Sequence, residues 1–312
     1  MTSTAPVVTA PGIEVRDVRR TFGDVVAVDR IDLDAPRGKV TALVGPNGSG
    51  KTTLLLVLAT LLVPDAGTAR VAGFDPVTEP RSVRARTGWM PDTFGTWESL
   101  TCVEVLQTVA DAYRIPRVAQ PARIDELLTL VHLTEYAGRP TQVLSRGQKQ
   151  RLGLARALVH DPDVLLLDEP ASGLDPRSRI ELRGIVRDLA ASGKAILVSS
   201  HVLAELDEMA DGVVVVARGR TVAAESLAEA AAARRIWRIR ALDGAPLLVA
   251  LDARGTPATA VPPDSAEVEL ASDAEAAELL AALVRDGVPV VAIHPAAGVL
   301  EQTYLTLTED RR

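Results

Sequence analysis

The 312-residue sequence predicts an α/β protein with a largely parallel sheet, a helical insert and a separate α+β tail. Three observations carry that expectation. Five short runs rich in β-branched and other apolar residues, "IEVRDV", "VTALVG", "DVLLLD", "AILVSS" and "GVVVVA", are separated by segments of helical spacing or turn residues, the pattern of parallel strands covered by helices. Between residues 91 and 159 the pattern changes to "LTCVEVLQTVADAY", "RIDELLTLVHL" and "RLGLARALV", with apolar positions three and four apart and no strand signal. After Gly219 alanine dominates, and three strand-like runs, "IWRIRAL", "AEVELA" and "VPVVAI", surround one helical run, "DAEAAELLAALVRDG". The length suits two units, which we place at residues 1–220 and 221–312, with the helical insert at about 91–159. The stretch "DARGTPATAVPPDS" is the most loop-like part of the tail.

Charge and composition narrow the function classes. A net charge of −7 and a pI near 5.3 give no basic field to concentrate nucleic acid, so no nucleic-acid partner is expected. The single cysteine, Cys102, can form neither an internal disulfide nor a cysteine-rich metal site. It reads as a small core residue in a reducing compartment. The opening "MTSTAPVVTAPG" lacks a basic region followed by an apolar one, so no secretion signal is expected and the chain is placed inside the cell. The longest apolar run, "LLLVLATLLV" at residues 54–63, is about half the roughly 20 residues that a bilayer-spanning helix needs.

The most informative stretch is "GPNGSGKTT", which comprises Gly45, Pro46, Asn47, Gly48, Ser49, Gly50, Lys51, Thr52 and Thr53 between two apolar runs. Glycines let backbone amides close around an anion, Lys51 reaches the β and γ phosphates, and the Thr52 hydroxyl suits Mg²⁺. A helix starting near Gly50 presents its free amides and positive dipole end to the same phosphates. In "DVLLLDEP", Asp168 ends a strand that reads as buried, where its carboxylate suits Mg²⁺, and Glu169 beside it is aimed at an attacking water. Ser145 in "LSRGQKQRLGLAR" reads as an N-cap, giving a second anion-binding helix end.

These motifs, in the order "GPNGSGKTT", "LSRGQ", "LLLDEP", "SGLDP" and "SSH", resemble the ATP-binding cassette family, the nucleotide-binding subunits of membrane transporters. The likeness runs from about Ile13 to Gly219. It implies a P-loop NTPase of RecA-like core, ATP and Mg²⁺ as cofactors, and a second copy of the chain joined head to tail when ATP is bound. By that resemblance Ser145, Gly147 and Gln148 meet the partner copy's nucleotide, Asp175 communicates across the dimer, and Glu169 is the general base. His201 would bind the γ phosphate and orient the water. Phe22 stands where the family places an aromatic against adenine, with a core position as the other reading. Asp92 replaces the family's usual glutamine and is expected to keep a Mg²⁺-sensing role. Arg146 stands where the signature normally has glycine, and its guanidinium is left open between phosphate and solvent.

The resemblance also implies an integral membrane permease as partner and a peripheral place on the inner face of the cell membrane. Phe94 and Trp97 in "TFGTWESL" fall where the family docks a coupling helix, internal packing being the alternative. The closing "LEQTYLTLTED" resembles ATPases paired with separate exporters of drugs, lipids or polysaccharides. One motif set argues against a translation-factor type, and the lack of a long coiled coil against a chromosome-structure type. A soluble assembly ATPase, such as one for iron–sulfur clusters, is the runner-up.

Overall fold

A computed structural model describes residues 12–93, 95, 97–202, 206, 208–226 and 235–296. The chain divides into two compact units, Met1–Ala224 and Glu225–Arg312. Phe94, the opening segment before Gly12 and the closing "LEQTYLTLTED" lie outside the described residues.

The first unit is built on a six-stranded sheet of order β5-β6-β7-β3-β8-β9. Its strands are β3 (Val40–Val44), β5 (Thr87–Met90), β6 (Val164–Asp168), β7 (Ala195–Ser200), β8 (Gly212–Ala217) and β9 (Arg220–Ser226). The pairings β5 with β6, β6 with β7, β7 with β3 and β3 with β8 are all parallel. Every residue of β3, β6 and β7 is buried, as a parallel sheet covered on both faces requires. Each Val or Leu so buried contributes about 1.5–3 kcal/mol, which makes these strands a rigid base for the loops at their C-terminal ends.

The run "IEVRDV" does not join this sheet. It forms β1 (Ile13–Phe22), the middle strand of a three-stranded antiparallel sheet between β2 (Val25–Ala35) and β4 (Ala66–Val71). The cause is local. Only Gly23 and Asp24 separate β1 from β2, and Gly23 takes φ 56°, so the chain folds straight back as a hairpin.

The insert is helical as expected, with α3 (Cys102–Ala112), α4 (Gln120–Leu130) and α5 (Arg146–Leu158). Helix α3 opens on a reciprocal capping box between Thr101 and Glu104, and Cys102 is fully buried. The remaining helices of this unit used below are α1 (Lys51–Leu58), α2 (Pro80–Arg86) and α6 (Pro176–Ala191). Among the described residues, no helix is long and apolar enough to cross a membrane.

The second unit runs β10 (Arg235–Ala241), α7 (Gly244–Ala253), β11 (Ala258–Val261), β12 (Ser265–Leu270), α8 (Asp273–Arg285) and β13 (Val290–Pro295). Its antiparallel sheet has the order β11-β12-β10-β13, the split β-α-β arrangement. Alternate residues Trp237, Ile239, Ala266, Val268 and Leu270 pack with Leu247, Leu251 and Leu283 of the helices. Two elements here correct the sequence reading. Helix α7 fills "GAPLLVALDA", and the loop-like stretch contains β11, an edge strand whose residues are mostly exposed. Such an edge carries no alternation of burial for periodicity to detect.

Candidate functional site

The phosphate-binding turn follows the buried strand β3 directly, and its shape depends on two glycines. A Cβ at Gly45 would lie 2.1 Å from Val216 O, and one at Gly50 would lie 2.5 Å from Ala27 O. Gly50 also takes φ 104°, the left-handed N-cap of α1, a region open to glycine at little cost. At these two positions the turn packs against backbone with no room for a side chain, whereas Gly48 between them is open, and residues 47–53 line a cavity. Lys51, 6% exposed, donates from Nζ to Gly45 O at 2.6 Å and to Pro46 O at 3.2 Å. Burial lowers its pKa, and the charges of Glu169 and Asp168 oppose that shift.

The acidic pair is held from strand β7. Asp168 ends β6 in register with Ser199. Its Oδ2 accepts from Thr52 Oγ1 at 2.9 Å, and its Oδ1 accepts a short hydrogen bond from Ser199 Oγ. Glu169 takes φ 48°, a left-handed conformation costing about 1–2 kcal/mol for a residue with a side chain. Its N–H donates to both Ser199 O and Ser199 Oγ at 3.1 Å. That pair of bonds holds the backbone in the conformation that points the carboxylate forward. His201, just past β7, places Nδ1 2.8 Å from Glu169 Oε2.

Lys51, Thr52, Asp168 and Glu169 share a cavity of about 400 Å³ lined by residues 25–27 and 47–53 with Asp92, Asp168 and Glu169, and His201 joins it through Glu169. Ser49 lines it with a buried Oγ that has no hydrogen-bond partner, an unsatisfied group that an anion's oxygen would satisfy. Thr52, Asp168 and Asp92 offer oxygen only, the donor set preferred by Mg²⁺ when phosphate oxygens and waters complete its shell.

Other expected residues fall elsewhere. Gly45 and Pro46 do not line the cavity, and their carbonyls accept from Lys51 Nζ. Phe22 is 44% exposed at the end of β1, opposite Val25 in the hairpin and capped by the Arg20 guanidinium 4.8 Å from the ring centroid. It does not line the cavity, whereas its neighbours in β2 do. Ser145 and Gln148 cap α5 reciprocally: Ser145 Oγ accepts from Gln148 N–H, and Gln148 Oε1 accepts from Ser145 N–H at 2.8 Å. Gly147 packs against Leu174, and Asp175 caps α6 through Ser178. None of these four lines the cavity of its own chain. Arg146 does not line the cavity; its side chain is exposed, and Nη2 donates to Ser172 Oγ at 2.9 Å. Trp97 is 46% exposed. Sequence reasoning did not assign roles to Ser199 or to Val25, Val26 and Ala27. The signal for Ser199 was its place in "SSH", one strand over from the acidic pair.

Comparisons with known proteins agree with this geometry. A family model described as ABC transporter matches residues 28–172. The chain is 40% identical over 211 residues to a daunorubicin resistance ATP-binding protein of Streptomyces coeruleorubidus, covering 68% of this chain and 67% of that one. It is 45% identical over 188 residues to a probable multidrug ABC transporter ATP-binding protein of Escherichia coli, covering 60% of this chain but only 32% of the relative. It is 36% identical over 225 residues to the ABC transporter ATP-binding protein NatA of Bacillus subtilis, covering 70% and 92%. Among solved structures, an ATP-binding subunit of an ABC transporter matches at 28% identity with a TM-score of 0.65, covering 70% of this chain and 91% of the other. A phosphate turn and an acidic pair lining one cavity, with a histidine bonded to the pair, together with these relatives, show that the chain belongs to the ATP-binding cassette family of transporter ATP-binding proteins.

Proposed function

We propose that two copies of this chain close head to tail over two molecules of MgATP, and that hydrolysis reopens them to drive efflux through a separate membrane permease. The observation that carries this reading is the convergence of Lys51, Thr52, Asp168 and Glu169 on one cavity of about 400 Å³, with His201 bonded to Glu169. ATP enters as substrate. The turn amides, the unpartnered Ser49 hydroxyl and Lys51 hold its phosphates, with Nζ exchanging the Gly45 and Pro46 carbonyls for phosphate oxygens. Thr52, Asp168 and Asp92 hold Mg²⁺, which when bound neutralises charge on the phosphate oxygens. Glu169 takes the proton of the attacking water, and His201 aligns the γ phosphate, so positioning and charge stabilisation carry the chemistry. Phe22 stacks on adenine from beside the cavity, a contact worth about 1–3 kcal/mol for a base on an aromatic ring.

The head-to-tail arrangement gives a role to residues that stand away from their own cavity. Ser145, Gly147 and Gln148 approach the nucleotide of the other copy, where the start of α5 adds amides to the γ phosphate, and Asp175 crosses between the copies. Efflux as the outcome is supported by the relatives named for drug resistance and multidrug transport. Exposed Trp97 gives the permease's helix an aromatic to dock on. The protein then works from the inner face of the membrane as a peripheral subunit. Co-purification with the membrane protein encoded beside it, then transport assays in sealed vesicles, tests the reading. We expect ATP-dependent movement of drug-like or lipid-like substrates and permease-stimulated phosphate release. A protein that hydrolyses ATP yet binds no membrane subunit contradicts it.

A further inference from the structure

The substituted position in "LSRGQ" is built into the adjoining loop. Arg146 is the first residue of α5, directly after the Ser145 cap. Its Nη2 donates to Ser172 Oγ at 2.9 Å, and its side chain lies across Gly173. A Cβ on Gly173 would come 2.4 Å from Arg146 Nε and 2.7 Å from its Cδ and Cζ. Gly173 also takes φ 72°, so the glycine serves both the turn and the approach of the guanidinium. Ser172 is in turn tied to the acidic pair, because its N–H donates to Glu169 O at 3.0 Å. Further along, a Cβ on Gly147 would lie 3.2 Å from Leu174 Cδ2, and Arg151 Nη1 pairs with Glu181 Oε2 at 3.2 Å. The first turn of α5 thus meets the segment between Glu169 and α6 through Arg146 and Gly147, and Arg151 continues the contact into α6.

We propose that Arg146 is a positioning residue that locks the Ser145 end of α5 to the turn following Glu169, so that the helix end offered to the partner copy reports the state of this copy's own hydrolytic centre. This rests on the function proposed above. A glycine at 146 gives the helix start no side chain with which to reach Ser172, and the contacts at Leu174 and the Arg151–Glu181 pair remain. A lysine keeps the charge, but its single ammonium cannot lie flat over Gly173 and also present a forked donor to Ser172.

The test is a double-mutant cycle of Arg146→Gly and Ser172→Ala on the full chain, with Arg146→Lys as a milder variant, read by steady-state ATPase and by amide hydrogen exchange. Either single substitution should lower kcat about tenfold with KM for MgATP changed less than about twofold, the signature of a lost transition-state contact. The double variant should be no slower than the worse single one, and Arg146→Lys should fall between. Exchange at the Ser172 and Leu174 amides should quicken in Arg146→Gly while α1 stays protected. Wild-type kcat and unchanged exchange in Arg146→Gly, or costs of the two substitutions that simply multiply, would overturn the inference. If the wild-type chain itself released no phosphate, the proposed function would fail, and exchange at residues 172–174 would still decide the Arg146 contact.

Discussion

His201 Nδ1 lies 2.8 Å from Glu169 Oε2, joining two residues that follow the adjacent parallel strands β6 and β7. The carboxylate is mostly covered, at 15% side-chain exposure, while the imidazole is 51% exposed. The ring thus orients the carboxylate that the proposed mechanism uses as base, and its other nitrogen can face a ligand. His201→Ala leaves the phosphate turn intact but removes both effects. Steady-state phosphate release should fall about 10²-fold, within the range for losing an acid–base or orienting group, with nucleotide affinity little changed.

Ser199 is the shared support of the acidic pair. Fully buried, it donates to Asp168 Oδ1 and accepts from the Glu169 N–H. Ser199→Ala leaves a carboxylate oxygen in the interior without its donor, a loss of about 1–3 kcal/mol. For a unit of this size each kcal/mol lowers Tm by about 2–4 °C, which calorimetry reads directly. Turnover should fall as well, since Glu169 holds φ 48° with one backbone bond fewer.

His160 gives the fold a pH dependence separate from catalysis. It stacks on Tyr113 with ring centroids 3.7 Å apart and 3° between planes, and Nε2 meets Thr87 O at 3.2 Å. Burial lowers its pKa from 6.5 to about 4; the Thr87 carbonyl opposes the shift, as does Asp161, while Arg123 and Lys194 add to it. Because the folded value lies below the unfolded one, the unfolded chain binds more protons between about 4 and 6.5. The contribution of neutral His160 is therefore complete above that window and is lost as pH falls through it. In paired melts from pH 7.5 to 4.5, His160→Gln should lose less Tm than the wild type.

How far the sequence reveals the molecule depends on how local the deciding physics is. The turn from Gly45 to Thr53 is legible because its residue types and spacing lie within nine consecutive positions, and the same holds for the Ser145 cap, which needs only Gln148. The buried strands were legible from their unbroken apolar runs. The assignment of "IEVRDV" to the parallel sheet failed because strand partners are set by tertiary contact, although the two-residue link to β2 carried a hairpin signal. Helix α7 and strand β11 were passed over because proline and glycine dominate their surroundings. Ser199 and the Arg146–Ser172 bond depend on segments that are distant in sequence, which no local pattern encodes.

In the proposed clamp, ATP closes two copies of the chain, each lending its α5 start to the other. Glu169→Gln tests it most directly, since the amide keeps a polar group beside His201 but cannot take a proton, so bound ATP should persist. Light scattering on the purified variant, with and without MgATP, reads the mass. The variant should be a monomer near 33 kDa without nucleotide and a stable dimer with it. A monomer at saturating MgATP, with and without the permease, contradicts the clamp.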